Sequence, residues 1–116
     1  REGPFAAAPL EIGQALRSWN DIRLGRAGAF EAHLRLGAKR LLPIHWGLFD
    51  LAYHSWTEPI ERTIAAAEAA DAPLVSPRPG QPFEPAAPPA RERWWPRVPW
   101  QTAAEHPVVA TRVPPP

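Results

Sequence analysis

Proline decides first what this chain can fold into. Of its 17 prolines, 13 lie at or after Pro73, and between Pro77 and Gln101 they recur every few residues. Each one removes a backbone donor and fixes φ, so at that density neither a helix nor a central strand is expected. The stretch reads as extended, polyproline-like or irregular chain. A packed body is therefore expected over residues 1–76, followed by a Pro/Trp-rich tail over 77–116. Trp94, Trp95 and Trp100 set this tail apart from an ordinary disordered linker, which is poor in aromatics.

Within the body, the apolar run Leu41-Leu42-Pro43-Ile44 stops abruptly on His45-Trp46-Gly47. That is the pattern of a buried strand delivering an imidazole to its end, with glycine allowing the backbone to turn. Upstream, Ala27–Lys39 reads as an amphipathic helix closed by Gly37, with Ala27, Phe30, Leu34 and Ala38 as its buried stripe. Glu31 and Arg35 fall four apart on its other face. Downstream, Thr57–Ala72 reads as a second, alanine-rich helix. Thr57 is the expected N-cap, Glu58 and Pro59 suit the first turn, and Ile60, Ile64 and Ala67 repeat on one face.

Leu74-Val75 is a minimal last strand, and Arg1–Gly13 holds another that Pro9 keeps from a central place. Gln14–Gly25 reads as a loop, and Leu48–Tyr53 fits either a strand or a helical turn. Helix, strand, His-Trp-Gly and helix make an α/β unit, with a polar group where open α/β sheets collect ligands.

Composition narrows the chemistry. Cysteine is absent, which rules out a disulfide framework, a thiolate metal site and a cysteine nucleophile. The formal net charge of +1 is far from the strongly basic footprint of a dedicated nucleic-acid binder, so no nucleic-acid partner is expected. No apolar run approaches the ~20 residues of a membrane span, and the first residues lack signal architecture. The expected compartment is the cytoplasm. Beginning on Arg1, the chain reads as a processed product or a fragment.

No serine lies in a Gly-x-Ser-x-Gly context, and Gly25-x-x-Gly28 is too sparse for a phosphate loop. His45 and His54 are too far apart for a one-turn helical metal pair. Spacing alone leaves His45 equally well explained by a bond to a backbone carbonyl at a strand end. His33 is expected to be a partly exposed helix residue, His54 a surface residue and His106 a solvated one. Asp50 fits a turn, a cap or a partner to a metal ligand.

Three stretches nonetheless resemble a known family. Arg1-Glu2-Gly3-Pro4-Phe5 followed by Ile12-Gly13 resembles its GPFD, short apolar run and PIGAY. Ala32–Ala38 resembles its helix running into LGA, and Leu42–Ala52 resembles its PIHWGTFDLA signature, the longest match. Glu58–Arg62 and Pro77–Gly80 also fit bacterial members. Over roughly residues 1–85 the chain resembles the C-terminal part of the metallo-β-lactamase-fold metal-dependent hydrolases. The branch is the one that includes N-acyl-phosphatidylethanolamine phospholipase D.

The resemblance implies an α/β fold, the C-terminal portion of an αββα sandwich that holds one or two zinc ions. It implies hydrolysis of phosphodiester, lactone or similar ester bonds, with the metal lowering the pKa of its bound water towards ~7. The implied ligands are a His-x-His-x-Asp-His motif, a second His, a bridging Asp and the His of PIHWG. Only the last falls in this chain, on His45, as a metal ligand. The His-x-His-x-Asp-His motif is absent, and Ala6 stands where the Asp of GPFD would, taken as the bridging ligand. Glu11 replaces a proline, Gln14-Ala15 replace Ala-Tyr, and Arg23 replaces a histidine. A catalytic zinc needs three protein ligands and an open position. The resemblance thus implies a truncated, partly degenerate relative that binds no zinc tightly alone, unless a missing N-terminal half or partner chain completes it.

The tail supports a different class of function. Arg91, Arg93 and Arg97 interleave with Trp94, Trp95 and Trp100, a mix that suits stacking on bases or peripheral contact with a membrane interface. Glu84, Glu92 and Glu105 dilute that charge, and an arm packed on the body accounts for the same residues.

Overall fold

Strand β1, Ala8–Glu11, and strand β2, Leu41–Ile44, lie side by side and parallel, with Ala8 opposite Leu41 and Glu11 opposite Ile44. The computed structural model describes residues 5–13, 25–47, 54–102 and 104–106. The expected Gln14–Gly25 loop, apart from Gly25, and the Leu48–Tyr53 segment with Asp50 lie outside the described residues.

Two prolines set the width of this sheet. The Ala8 N–H donates to the Arg40 carbonyl at 2.9 Å and the Ile12 N–H to that of Ile44 at 3.0 Å. Alternate residues of β1 therefore face β2, and Pro9 points its missing donor outward, where a sheet tolerates it. On the other side of β2, Leu41 accepts from the Val75 N–H at 2.9 Å and donates to the Pro73 carbonyl at 2.9 Å. The next residue on that side is Pro43, which has no N–H to give. The expected Leu74-Val75 strand accordingly stops at a single parallel bridge, Leu41 to Leu74.

Helix α1 spans Gly25–Leu36 and ends on Gly37, which takes φ +65 as the sequence reading expected. Its buried face differs from the expected stripe. Ala29 and His33 are buried, whereas Leu34 is 57% and Leu36 43% exposed. The stripe is rotated by one residue, about 100° at 3.6 residues per turn. The alanine side lets the helix approach the body closely, and Phe30 retains only partial contact with the core. His33 is thus a buried residue and not the partly exposed one expected. Glu31 and Arg35 do meet across the outer face, at 2.5 Å.

Helix α2, Glu58–Ala69, buries Ile60, Ile64 and Ala67 as its periodicity requires. Thr57 is not the cap expected of it. It adopts a helical conformation and is buried, and its side chain makes no capping hydrogen bond. At the other end Asp71 takes φ 51, with the Ala72 N–H on the Ala67 carbonyl and the Asp71 N–H on that of Glu68. That is a Schellman closure, with Asp71 in the left-handed position usually given to glycine.

The tail contains no further helix or strand element among the described residues, only an isolated Glu84–Ala87 bridge. It nevertheless shares the core. Trp95 is 5% exposed and packs in one cluster with Ile12, Ala29, Leu41, Ile60 and Ile64. The described residues form a small mixed α/β fold of two helices and a two-stranded parallel sheet.

Candidate functional site

Because β1 and β2 run parallel and in register, they deliver their last residues to the same end. Glu11 closes β1, and His45 follows β2 directly. In a continuing strand His45 would share the face of Pro43 and Ile12. It instead adopts φ 61, a left-handed conformation that costs a non-glycine residue about 1–3 kcal/mol. Its Nδ1 lies 3.3 Å from Glu11 Oε2, a residue of the opposite face. The imidazole stays 59% exposed.

The crossing of the chain is tight here. A Cβ on Gly13 would sit 1.8 Å from the His45 carbonyl oxygen, so only glycine fits where β1 leaves the sheet. Gly47, two residues beyond His45, also takes a positive φ of 77. Between these turns Trp46 donates its Nε1–H to the Pro43 carbonyl at 3.3 Å. Its ring then meets two rings of the tail, Trp94 at 5.2 Å and Trp95, edge-on, at 5.1 Å. Such aromatic pairs contribute about 0.5–1.5 kcal/mol each beyond the area they bury.

Pairing through Nδ1 orients the imidazole and leaves Nε2 as its other valence, for a proton, a substrate or a metal. The donor set that the described residues bring to this end is one imidazole and one carboxylate, short of the three protein ligands of a catalytic zinc site. Among the described residues no group of three or more His, Asp or Glu side chains is placed to hold a metal ion. The described residues do not fit a zinc ion on their own.

The other expected positions lie elsewhere. Ala6 precedes β1 at the amino end of the sheet, while His45 lies at the carboxyl end. Four strand residues at about 3.3 Å each separate the two by roughly 10 Å or more, against metal–ligand bonds of about 2 Å. A carboxylate at position 6 would not reach an ion held by His45, so Ala6 carries no weight against such an ion. Gln14, Ala15 and Arg23 lie outside the described residues.

His33 is 3% exposed with Nδ1 unbonded, and burial pushes its pKa below the usual imidazole value. His54 is half-buried: Nδ1 donates to the Ser55 carbonyl at 3.0 Å, and Nε2 is buried without a hydrogen-bond partner. His106 is exposed, as expected, and its carbonyl accepts from Arg62 Nη1 at 2.8 Å. The partnership of Glu11 with His45 is what sequence reasoning missed. The two are 34 residues apart, and the signal was a carboxylate ending one short apolar run as an imidazole ended another.

The tail is bound along α2 by polar groups. Arg62 and Glu58, side chains 5% and 3% exposed, pair at 2.9 Å. Arg62 Nε donates to the Gln101 carbonyl at 2.6 Å, and Glu58 accepts from the Gln101 N–H at 3.3 Å. Glu61 accepts from Trp95 Nε1 at 2.8 Å and from Arg93 Nε at 3.1 Å. Glu68 pairs with Arg91 at 2.5 Å. Trp94 donates to the Ser76 carbonyl at 3.0 Å.

The sequence has relatives. Proteins of Mycobacterium tuberculosis and Mycobacterium bovis, each described as uncharacterized, are 42% identical to it over 96 residues. The match covers 80% of this chain and 26% of theirs, so the chain spans about a quarter of the length of these relatives. No family model matches the chain, and no solved structure matches it. No helix among the described residues is long and apolar enough to cross a membrane.

Proposed function

We propose that this chain is the C-terminal portion of a metallo-β-lactamase-like, metal-dependent hydrolase and supplies one imidazole, His45, to a zinc site. The observation that carries the reading is the exposed His45 in a left-handed conformation beside Glu11 at the carboxyl ends of two parallel strands. Strain at a strand end is kept where the surroundings enforce it, and functional sites are where it clusters. The remaining ligands come from segments outside the chain, either an N-terminal part or a partner chain. The greater length of the mycobacterial relatives supports this division. So does the second face of the sheet, where Pro9 is exposed and Leu42 and Ile44 are only half-buried, although parallel sheets are normally covered on both faces. In a completed site His45 would be one of the residues holding zinc, and the metal would supply activation of water for ester or phosphodiester hydrolysis. A cytoplasmic setting belongs to the same reading.

The alternative, a non-catalytic module working through Trp94, Trp95, Trp100 and the tail arginines, draws less support. Trp95 is buried, and Trp94 and Trp95 spend their indole N–H groups on their own chain. The same packing leaves less ring surface for a membrane interface.

The test is a chimera in which this chain replaces the matching segment of a mycobacterial relative. Elemental analysis is expected to find stoichiometric zinc in the chimera, none retained by the isolated chain, and a loss on His45→Ala in the chimera. Zinc unaffected by His45→Ala would overturn the assignment.

A further inference from the structure

Beyond the close crossing of Gly13 over its carbonyl and the contact with Glu11, the His45 ring has little packed around it. His45 and Gly47 both adopt positive φ, and the imidazole is mostly exposed, so neither packing of its own ring nor strand hydrogen bonding sets its direction. What separates the two left-handed residues is Trp46, which bonds to the Pro43 carbonyl within the turn and is met on its ring by the tail. Trp94 lies 5.2 Å from it, tilted by 34°, and the Trp94 ring edge would be 3.9 Å from a Cβ on Gly47. The far end of the Trp94 indole is fixed by its hydrogen bond to the Ser76 carbonyl. Trp95 closes the group edge-on to both rings, at 5.1 Å from Trp46 and 5.5 Å from Trp94. Unlike Trp95, Trp94 is only half-buried and lies at the margin of the core, where it touches the turn on one side and the Ser76 carbonyl on the other.

We propose that Trp94 is a positioning residue for His45: seated on Trp46 and against Gly47, it holds the turn that brings the imidazole to Glu11. The Pro-rich tail is then part of the site and not only its covering. The proposal rests on His45 being the site residue, but it concerns the turn, which is observable without any metal.

In the isotope-labelled intact chain, NMR reads this directly. A left-handed His45 gives a strong intraresidue amide-to-Hα NOE, and its ring gives NOEs to the Glu11 side chain. Trp94→Ala is expected to abolish both while amide protection in α2 persists, and Trp94→Phe to restore them. Arg91→Ala with Arg93→Ala, which removes tail ion pairs but no ring, is expected to leave them intact. If Trp94→Ala unfolds the chain, Trp94→Leu keeps apolar bulk without the ring and is expected to lose the same NOEs. Their retention in a folded Trp94→Ala or Trp94→Leu chain overturns the proposal, as does their loss in the double arginine variant. Loss of the NOEs on removing Trp94, with a chimera that never binds zinc, would uphold the positioning and reject only the metal.

Discussion

The contact face of α2 and the end of the β-strands treat their polar groups in opposite ways. Along α2, Glu58, Glu61 and Arg62 are largely withdrawn from water, and each is met by partners from the tail. At the strand ends, Glu11 and His45 meet through one 3.3 Å contact, and the imidazole is left in solvent on a strained backbone. The first arrangement satisfies buried charge and fastens an otherwise irregular segment. The second gains little stability and keeps a reactive ring presented. Burial with many partners marks a structural role here, and exposure with strain is the observation on which the role proposed for His45 rests.

Arg62 gives the largest expected effect on the fastened face. Removing one member of a buried ion pair typically costs about 3–5 kcal/mol, because its partner remains charged and buried. Arg62→Ala would leave Glu58 in that state and free the Gln101 and His106 carbonyls. Urea denaturation is expected to show a loss of that order, with the tail cleaved by protease before residues 25–72. A loss below about 1 kcal/mol, the range of surface pairs, would mean that the tail is not fastened there.

His33 sharpens the contrast more gently, since it is a buried polar group without the partners that α2 enjoys. Its pKa is lowered on folding from 6.5 by burial, so near that pH the unfolded chain binds the proton that the folded chain refuses. Stability then rises with pH in this window, is complete above 6.5, and falls as pH drops below it towards the folded-state value. Urea midpoints at about pH 7.5 and about pH 5.5 are expected to differ more for the parent than for His33→Leu. Equal differences would place His33 in a hydrated position.

What the sequence made legible was local. The β2 run, the Gly37 stop, the Ile60, Ile64 and Ala67 stripe and the irregular tail each follow from a few neighbouring residues, and the structure has them. The failures needed partners distant in the chain. α1 turned Ala29 and His33 inward because close approach to the body outweighed the apolar bulk of Leu34. Thr57 reads as a cap, but it is buried under neighbours that no spacing rule sees. Ala6 shared a short apolar stretch with Glu11, yet the strand between them places it at the wrong end of the sheet. Of the candidate site, His45 was legible from the abrupt end of its strand. Glu11, Gly13 and the Trp94 support became visible only once the register of β1 against β2 and the path of the tail were known.

The central claim is that His45 is kept for what it presents and not for what it holds together. The most direct measurement is the unfolding free energy of His45→Gly. Glycine adopts φ near +60 without strain but loses about 0.5–1 kcal/mol more backbone entropy on folding, and the lost ring is mostly exposed, so a net gain of about 1 kcal/mol is expected from the strain relieved. A loss of 1 kcal/mol or more would contradict it and make the Glu11–His45 contact a structural bond.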